Sequence, residues 1–255
     1  MSDRETFPSG IPCWIDLMSS DPDKAQAFYT GLFGWTAGTS GEEYGNYVTF
    51  FKDGLPVAGL ARNEQPGQPD AWSVYLSCQD VSATTNAAVE AGGRILAKPM
   101  KVGDQGSMAI FLDPTGAVIG AWQPDQMTGF GREGDEGAPA WFELSTRDHD
   151  TAVGFYEKVF GWKTEEMSDA ADFRYTLNAP FEESSAGIYD AAAHLPAGAP
   201  STWQVYLAVG NADDGAARVL ELGGTVLREP WDSPYGRMAQ VADPTGAAFM
   251  ISTVK

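Results

Sequence analysis

The feature that most constrains this chain is that it is written twice. Pro12-Cys13-Trp14-Ile15-Asp16-Leu17 returns as Pro139-Ala140-Trp141-Phe142-Glu143-Leu144, and Phe28-Tyr29 with Phe33-Gly34-Trp35 returns as Phe155-Tyr156 with Phe160-Gly161-Trp162, at an offset of 127 residues. Further on, Trp72-Ser73-Val74-Tyr75-Leu76 matches Trp203-Gln204-Val205-Tyr206-Leu207 at an offset of 131. Asp113-Pro114-Thr115-Gly116-Ala117 matches Asp243-Pro244-Thr245-Gly246-Ala247 at 130, so the drift is that of short loop insertions. Six of the eight tryptophans fall in matched pairs, which composition alone does not arrange. A repeat of this length is a domain copied in tandem, and its folding problem need be solved only once.

Inside each copy the hydrophobic period changes in a readable order. Residues 12–18 alternate as a strand does. Asp21 then caps a helix with Pro22 at its first position, and Ala25, Phe28, Tyr29 and Leu32 make its apolar face until Gly34 stops it. The second copy uses Asp148 as the cap and Ala152, Phe155, Tyr156 and Val159 as the face. Residues 47–51 and 56–61 read as strands joined at Lys52-Asp53-Gly54, a hairpin turn. The order then restarts: strand 72–78, helix 81–91 closed by Gly92-Gly93, strand 94–98, and strands 107–112 and 117–123 around Asp113-Pro114-Thr115-Gly116. Each copy therefore holds two strand-helix-strands modules. The copies are placed at residues 11–124 and 138–253, joined by a Gly- and charge-rich linker at 125–137 that lacks periodicity.

With 255 residues the chain has ample material for two cores, and 43% hydrophobic with 20% charged residues is a globular composition. Sixteen Lys and Arg against 35 Asp and Glu leave a net charge of −19, which disfavours nucleic acid and anionic lipid as partners. No stretch approaches the roughly 18 apolar residues of a membrane span, and residues 1–8 do not read as a signal peptide; the expected location is cytoplasmic. Cys13 and Cys78 are too few and too far apart for a metal knuckle or a disulfide framework, and read as small buried apolar residues. The two histidines, His149 beside a helix start and His194 in a loop, read as solvated.

The strand followed by Asp, Phe-Tyr and Phe-Gly-Trp, the Trp-x-Val-Tyr-Leu strand with its helix and Gly-Gly, and the closing Asp-Pro-Thr-Gly, in order and twice, resemble the glyoxalase/bleomycin resistance/dioxygenase group, the vicinal oxygen chelate superfamily. The likeness is greatest to two-domain actinobacterial glyoxalase-like proteins often labelled "hydroxylase". The resemblance implies an α+β fold: a tandem duplication of a glyoxalase-like domain, four βαβββ modules forming cupped mixed sheets with helices outside. It also implies a pocket that commonly holds a divalent metal, although the fold hosts lyases, isomerases, dioxygenases and drug binders alike. Carried over position by position, the two His sites fall on Trp14 and Trp141 and on Ser73 and Gln204, while the Glu sites fall on Gly120 and Met250 and near Gly59 and Gly187. None of these is a histidine or a carboxylate, so no metal site and no cofactor are expected.

Strand parity gives the lining instead. Trp14, Asp16 and Met18 share the ligand-position face, as do Trp141, Glu143 and Ser145; Ser73, Tyr75 and Ser77; Gln204, Tyr206 and Ala208; Val118, Gly120 and Trp122; and Met250 and Ser252. The expectation is an aromatic pocket with one carboxylate per copy. Trp14, Tyr75, Ser73, Trp122, Trp141, Gln204, Tyr206 and Met250 are its ligand-binding candidates, and Asp16 and Glu143 its catalytic ones. The opposing reading is that the tryptophans merely fill the space of a lost metal site. On the functional side the first expectation is metal-independent binding of a planar aromatic or polyketide-like small molecule, in sequestration, resistance, or an accessory role in a biosynthetic or hydroxylation pathway. The second is a metal-free enzyme of isomerase, cyclase or hydroxylase type with Asp16 or Glu143 as general base. The third is a metal-dependent glyoxalase-type lyase or dioxygenase. A duplicated chain can supply both halves of each pocket, so monomer and homodimer both remain open.

Overall fold

A computed structural model describes residues 7–41, 44–65, 67–170, 173–196 and 198–253. The first module comprises β1 (Pro12–Ser19), α1 (Pro22–Phe33), β2 (Thr36–Thr39), β3 (Val48–Lys52) and β4 (Leu55–Arg62). The second comprises β5 (Ala71–Ser77), α2 (Val81–Glu90), β6 (Arg94–Val102), β7 (Gly106–Leu112) and β8 (Val118–Pro124). The third follows with β9 (Pro139–Thr146), α3 (His149–Phe160), β10 (Glu165–Ala170), β11 (Phe173–Leu177) and β12 (Ala186–Asp190). The fourth has β13 (Thr202–Val209), α4 (Ala212–Glu221), β14 (Thr225–Ser233), β15 (Gly236–Ala242) and β16 (Ala248–Thr253). Strand order within a module is the same four times over, β2-β3-β4-β1 in the first, with antiparallel neighbours except for a parallel last pair. The class is thus α+β, with mixed sheets and four βαβββ modules.

The local signals explain the elements. Asp21 accepts from the Lys24 backbone N–H and Asp148 from that of Thr151, so both first helices begin where a capping aspartate stands, and Gly34 and Gly161 end them in the left-handed conformation. The buried faces differ in one place from expectation: Phe33 and Phe160 close them, while Leu32 and Val159 are only half-buried. An aromatic ring one residue further along the helix reaches over the turn N-terminal to it. The Asp53-Gly54 hairpin has both central residues at positive φ, 51° and 80°.

Four-residue β2 is exposed throughout, and it carries no apolar alternation that a sequence reading could detect. Strands β6 and β14 run on through Pro99 and Pro230 because each proline sits in a bulge, where two residues of one strand face one of the next.

Contacts divide the chain into two compact units. One holds the described residues through Cys13 with Val74–Gly129 and Phe142–Trp203; the other holds Trp14–Ser73, Phe130–Trp141 and the chain from Gln204 onward. These units group the second module with the third and the first with the fourth, while the strand order runs through two eight-stranded sheets, β2-β3-β4-β1-β5-β8-β7-β6 and β10-β11-β12-β9-β13-β16-β15-β14. Each unit is tied by the same device. In one, the Tyr29 hydroxyl donates to Asp243 Oδ2 at 3.1 Å and accepts from Trp72 Nε1 at 3.0 Å. In the other, Tyr156 donates to Asp113 Oδ2 at 3.0 Å and accepts from Trp203 Nε1 at 2.8 Å. The Asp-Pro-Thr-Gly turns thus present their aspartates to a helix of a different module.

Trp35 and Trp162 are buried anchors whose Nε1 groups donate to the Gly137 and Gly10 carbonyls. The segment read as a linker is docked at several points: Phe130 is fully buried, and the Gly131 and Gly137 N–H groups donate to the Pro56 and Ala208 carbonyls. Both cysteines are buried, and burial pushes the Cys78 thiol up to about 11, leaving it inert as a nucleophile at neutral pH. Among the described residues no helix is long and apolar enough to cross a membrane.

Candidate functional site

Parity along β1 sends Ile15 and Leu17, both fully buried, to one face, and Trp14 and Asp16 to the other. The register sets Asp16 directly beside Gly59 of β4. Trp14 Nε1 donates to Asp16 Oδ1 at 3.0 Å and to the Tyr47 hydroxyl at 2.8 Å, and that hydroxyl in turn donates to Asp16 Oδ1. Three side chains thus close a ring of polar contacts over a glycine. A Cβ at position 59 would overlap the Tyr47 hydroxyl and the Asp16 carboxylate, so the bare backbone there is what admits the arrangement. Phe130 packs against the Trp14 indole with centroids 5.6 Å apart.

The other unit also sets a carboxylate beside a glycine that a tyrosine covers. Glu143 lies in register beside Gly187, and the Tyr175 ring covers that glycine; the Tyr75 ring covers Gly120. In the unit of Trp14, Tyr206 and Met250 face each other across β13 and β16. The sequence reading starts a strand at Tyr47 but names neither Tyr47 nor Tyr175 among the site residues. The signal that finds them is the repeat itself: Tyr47 and Tyr175 share the 128-residue offset of Gly59 and Gly187.

The candidates fall into two groups by exposure. Trp14, Tyr75, Trp122, Tyr206 and Met250 are buried, between 3% and 8% exposed, and so occupy much of the space they were expected to line. Asp16, Tyr47, Ser73, Trp141, Glu143 and Gln204 are half-buried and form the accessible part. Trp14, Asp16, Ser73, Trp141, Gln204, Tyr206 and Met250 belong to one compact unit, and Tyr75, Trp122 and Glu143 to the other. Trp122 Nε1 is taken up by the Met127 carbonyl at 2.9 Å. A cavity of about 310 Å³ lies elsewhere, against Phe7, Ser77, Cys78 and Gln123, and includes none of the ligand-binding candidates.

A divalent ion does not fit these residues. Indole, phenol ring, glycine and thioether stand where a metal centre needs imidazole or carboxylate, and among the described residues no three His, Cys, Asp or Glu side chains are grouped to hold an ion.

His149 corrects the sequence reading. It is the first residue of α3 and 5% exposed, not solvated, because α3 packs on β12 and draws its first turn inward. Among the described residues neither ring nitrogen has a hydrogen-bond partner, although Nδ1 stands 3.9 Å from Asp150 Oδ1. Burial, and then the Arg174 guanidinium, lower its pKa below the usual 6.5, against weaker opposing pulls from Asp190 and Asp150. Because the unfolded chain takes the proton first, the stability tied to neutral His149 is complete above pH 6.5 and is lost as pH falls through the lowered folded value. Urea unfolding at pH 7.5 and pH 5 should therefore show His149→Leu losing less stability on acidification than the parent, by up to about 1.4 kcal/mol per pH unit. Equal losses would mean that the imidazole is not held neutral. His194 is exposed and stacks on Tyr189, as a loop histidine can.

The sequence profile of the Glyoxalase/Bleomycin resistance protein/Dioxygenase superfamily matches residues 13–120 and 138–251. The chain belongs to that superfamily. Among similar members is the anthracycline biosynthesis protein DauV of Streptomyces sp. (strain C5), 36% identical over 273 residues that span 96% of this chain and 94% of DauV. DnrV of Streptomyces peucetius, also named an anthracycline biosynthesis protein, is 35% identical over the same spans. CFP32 of Mycobacterium tuberculosis, provisionally named a glyoxylase, is 35% identical over 98% of this chain and 97% of its own. Among solved structures, the Mn(II)-bound glyoxalase from Novosphingobium aromaticivorans superposes with a TM-score of 0.66 at 17% identity, covering 96% of this chain and 82% of that one. The 2,3-dioxygenase LapB from Pseudomonas sp. KL28 gives 0.61 at 10% identity, covering 98% and 93%. At these identities the structural likeness establishes the superfamily fold and nothing finer.

Proposed function

We propose that this superfamily member works without a metal and binds a planar aromatic or polyketide-like small molecule, in the cytoplasm, as a monomer or homodimer built on the copies at 11–124 and 138–253. The observation that carries the reading is the Trp14–Tyr47–Asp16 ring over Gly59, which replaces ligand-type side chains with an aromatic wall and a fixed carboxylate acceptor. A flat, unsaturated ligand packs on the half-buried Tyr47 ring at the rim of this wall, with its hydroxyl edge toward Asp16. The names of DauV and DnrV add support, since anthracyclines are fused-ring planar polyketides.

The test is tryptophan-fluorescence titration with 1,4-dihydroxyanthraquinone, run beside a metal assay by mass spectrometry. The expected result is saturable quenching by protein with less than one tenth of a metal ion per chain. Asp16→Asn and Tyr47→Phe should each weaken binding by no more than about tenfold, the scale of one hydrogen bond. Stoichiometric metal, or an absence of saturable quenching, would overturn the proposal. The enzyme reading rests on the direct hydrogen bond between Tyr47 and Asp16, a pair able to hold and pass a proton. It is favoured only if a planar substrate is turned over and Asp16→Asn abolishes turnover while binding survives.

A further inference from the structure

The two units do not present the same chemistry on the sheet face that carries the candidate residues. In the fourth module, Ala239, Val241, Phe249 and Ile251 lie under α4 and are buried. Their alternates face the other way, and the register aligns them in rows: Tyr206, Met250, Gln240 and Arg228 in one, Ser252, Met238 and Trp231 in the next. The bulge at Glu229-Pro230 is what lets Arg228 and Trp231, three residues apart, point to the same side. The Arg228 guanidinium carbon then lies over the Trp231 indole, 3.7 Å from its centroid. In the second module the matching rows read Tyr75, Gly120, Ile110 and Ala97, then Trp122, Met108 and Met100. Arg228, Gln240 and Ser252 have Ala97, Ile110 and Trp122 as counterparts, whereas Ser77 heads the second row where the fourth module has Ala208, and the tryptophan has moved from the edge strand to the strand beside β5.

Arg228 is exposed and, among the described residues, forms no ion pair, in a chain of net charge −19 where carboxylates are plentiful. A guanidinium stacked on an indole keeps its in-plane N–H donors pointing outward, prepared for a planar oxyanion. We propose that Arg228, braced by Trp231 and aided by Gln240, is the specificity-determining residue of this unit's face. It selects planar aromatic ligands that carry an anionic edge, a carboxylate or an ionised phenol, while the corresponding face of the other unit takes neutral ones. This inference rests on the proposed binding of planar aromatics and names the substituent that one face reads.

The experiment uses the full chain and two matched probes, anthraquinone-2-carboxylate and 2-(hydroxymethyl)anthraquinone, titrated by calorimetry at 50 mM and 500 mM NaCl. The carboxylate is expected to bind about tenfold tighter at low salt, and about threefold tighter at high salt. Arg228→Met should bring the ratio of the two affinities to about one, and Arg228→Lys, which keeps charge without the planar guanidinium, should recover only part of it. Arg228 is exposed on an edge strand, so both variants should fold, as circular dichroism will check. Binding of both probes with no preference in the parent, or a preference that survives Arg228→Met, would sink the inference and leave the aromatic-binding reading standing. Failure of both probes to bind would overturn that reading and this one with it.

Discussion

Asp243→Ala is expected to lower the unfolding free energy by about 3–5 kcal/mol, and Asp113→Ala by a similar amount. Asp243 is 2% exposed and fully engaged: Oδ1 accepts from the Thr245 N–H and hydroxyl at 2.8 Å and from the Ala247 N–H at 3.1 Å, while Oδ2 accepts from Tyr29. Truncation leaves a backbone N–H at fully buried Ala247 and the hydroxyl of fully buried Tyr29 without acceptors, each worth about 1–3 kcal/mol when stranded away from water. Tyr29→Phe is the milder cut. It leaves the turn closed but takes the acceptor from buried Trp72 Nε1, so about 1–3 kcal/mol is expected. A loss below 1 kcal/mol for Asp243→Ala in urea unfolding would show that the turn does not tie the first module to the fourth. The expected loss is a third or more of a typical domain's stability, which makes it the sharpest probe of the pairing.

That tie also marks where the sequence stops being legible. Caps and the Asp53-Gly54 hairpin are local signals, and the repeat and the order of modules emerge from matching short segments along the chain. The partner of Tyr29 lies 214 residues away, and that of Tyr156 only 43 away. No local pattern distinguishes these two cases, although the structure treats them as equivalent. The exposed strand β2 has no buried face to impose alternation, and the strands through Pro99 and Pro230 hide behind a residue that normally ends them.

At the candidate site, period-two parity placed Trp14 and Asp16 correctly on one face because the opposite face is fully buried. Tyr47 and Tyr175 act by reaching diagonally to a glycine on the next strand, which a strand read alone does not reveal. His149 was misjudged because proximity to a helix start says nothing about which way the first turn faces.

The same glycines yield the second large effect. Gly120→Ala is expected to cost about 2–3 kcal/mol, whereas Gly59→Ala should cost about 1 kcal/mol, although a Cβ meets a tyrosine at both positions. The difference is whether the neighbour can yield. At Gly120 the new methyl meets carbons along the Tyr75 ring, and that ring is 5% exposed on β5 beside β8, so it can leave only by forcing other groups aside. At Gly59 it meets the hydroxyl end of Tyr47 and the Asp16 carboxylate, both half-buried side-chain ends that can swing toward solvent. The cheaper substitution therefore carries the larger functional price: Trp14 Nε1 and Asp16 both lose a partner, and quenching by 1,4-dihydroxyanthraquinone should weaken. Placing Gly120→Ala in a Tyr75→Val background separates overpacking from any backbone effect, since the penalty should fall below 1 kcal/mol once the ring is gone. If it does not fall, the tyrosine is not what fills the space where metal-bearing relatives keep a carboxylate, and the pocket there is open rather than closed by its own side chains.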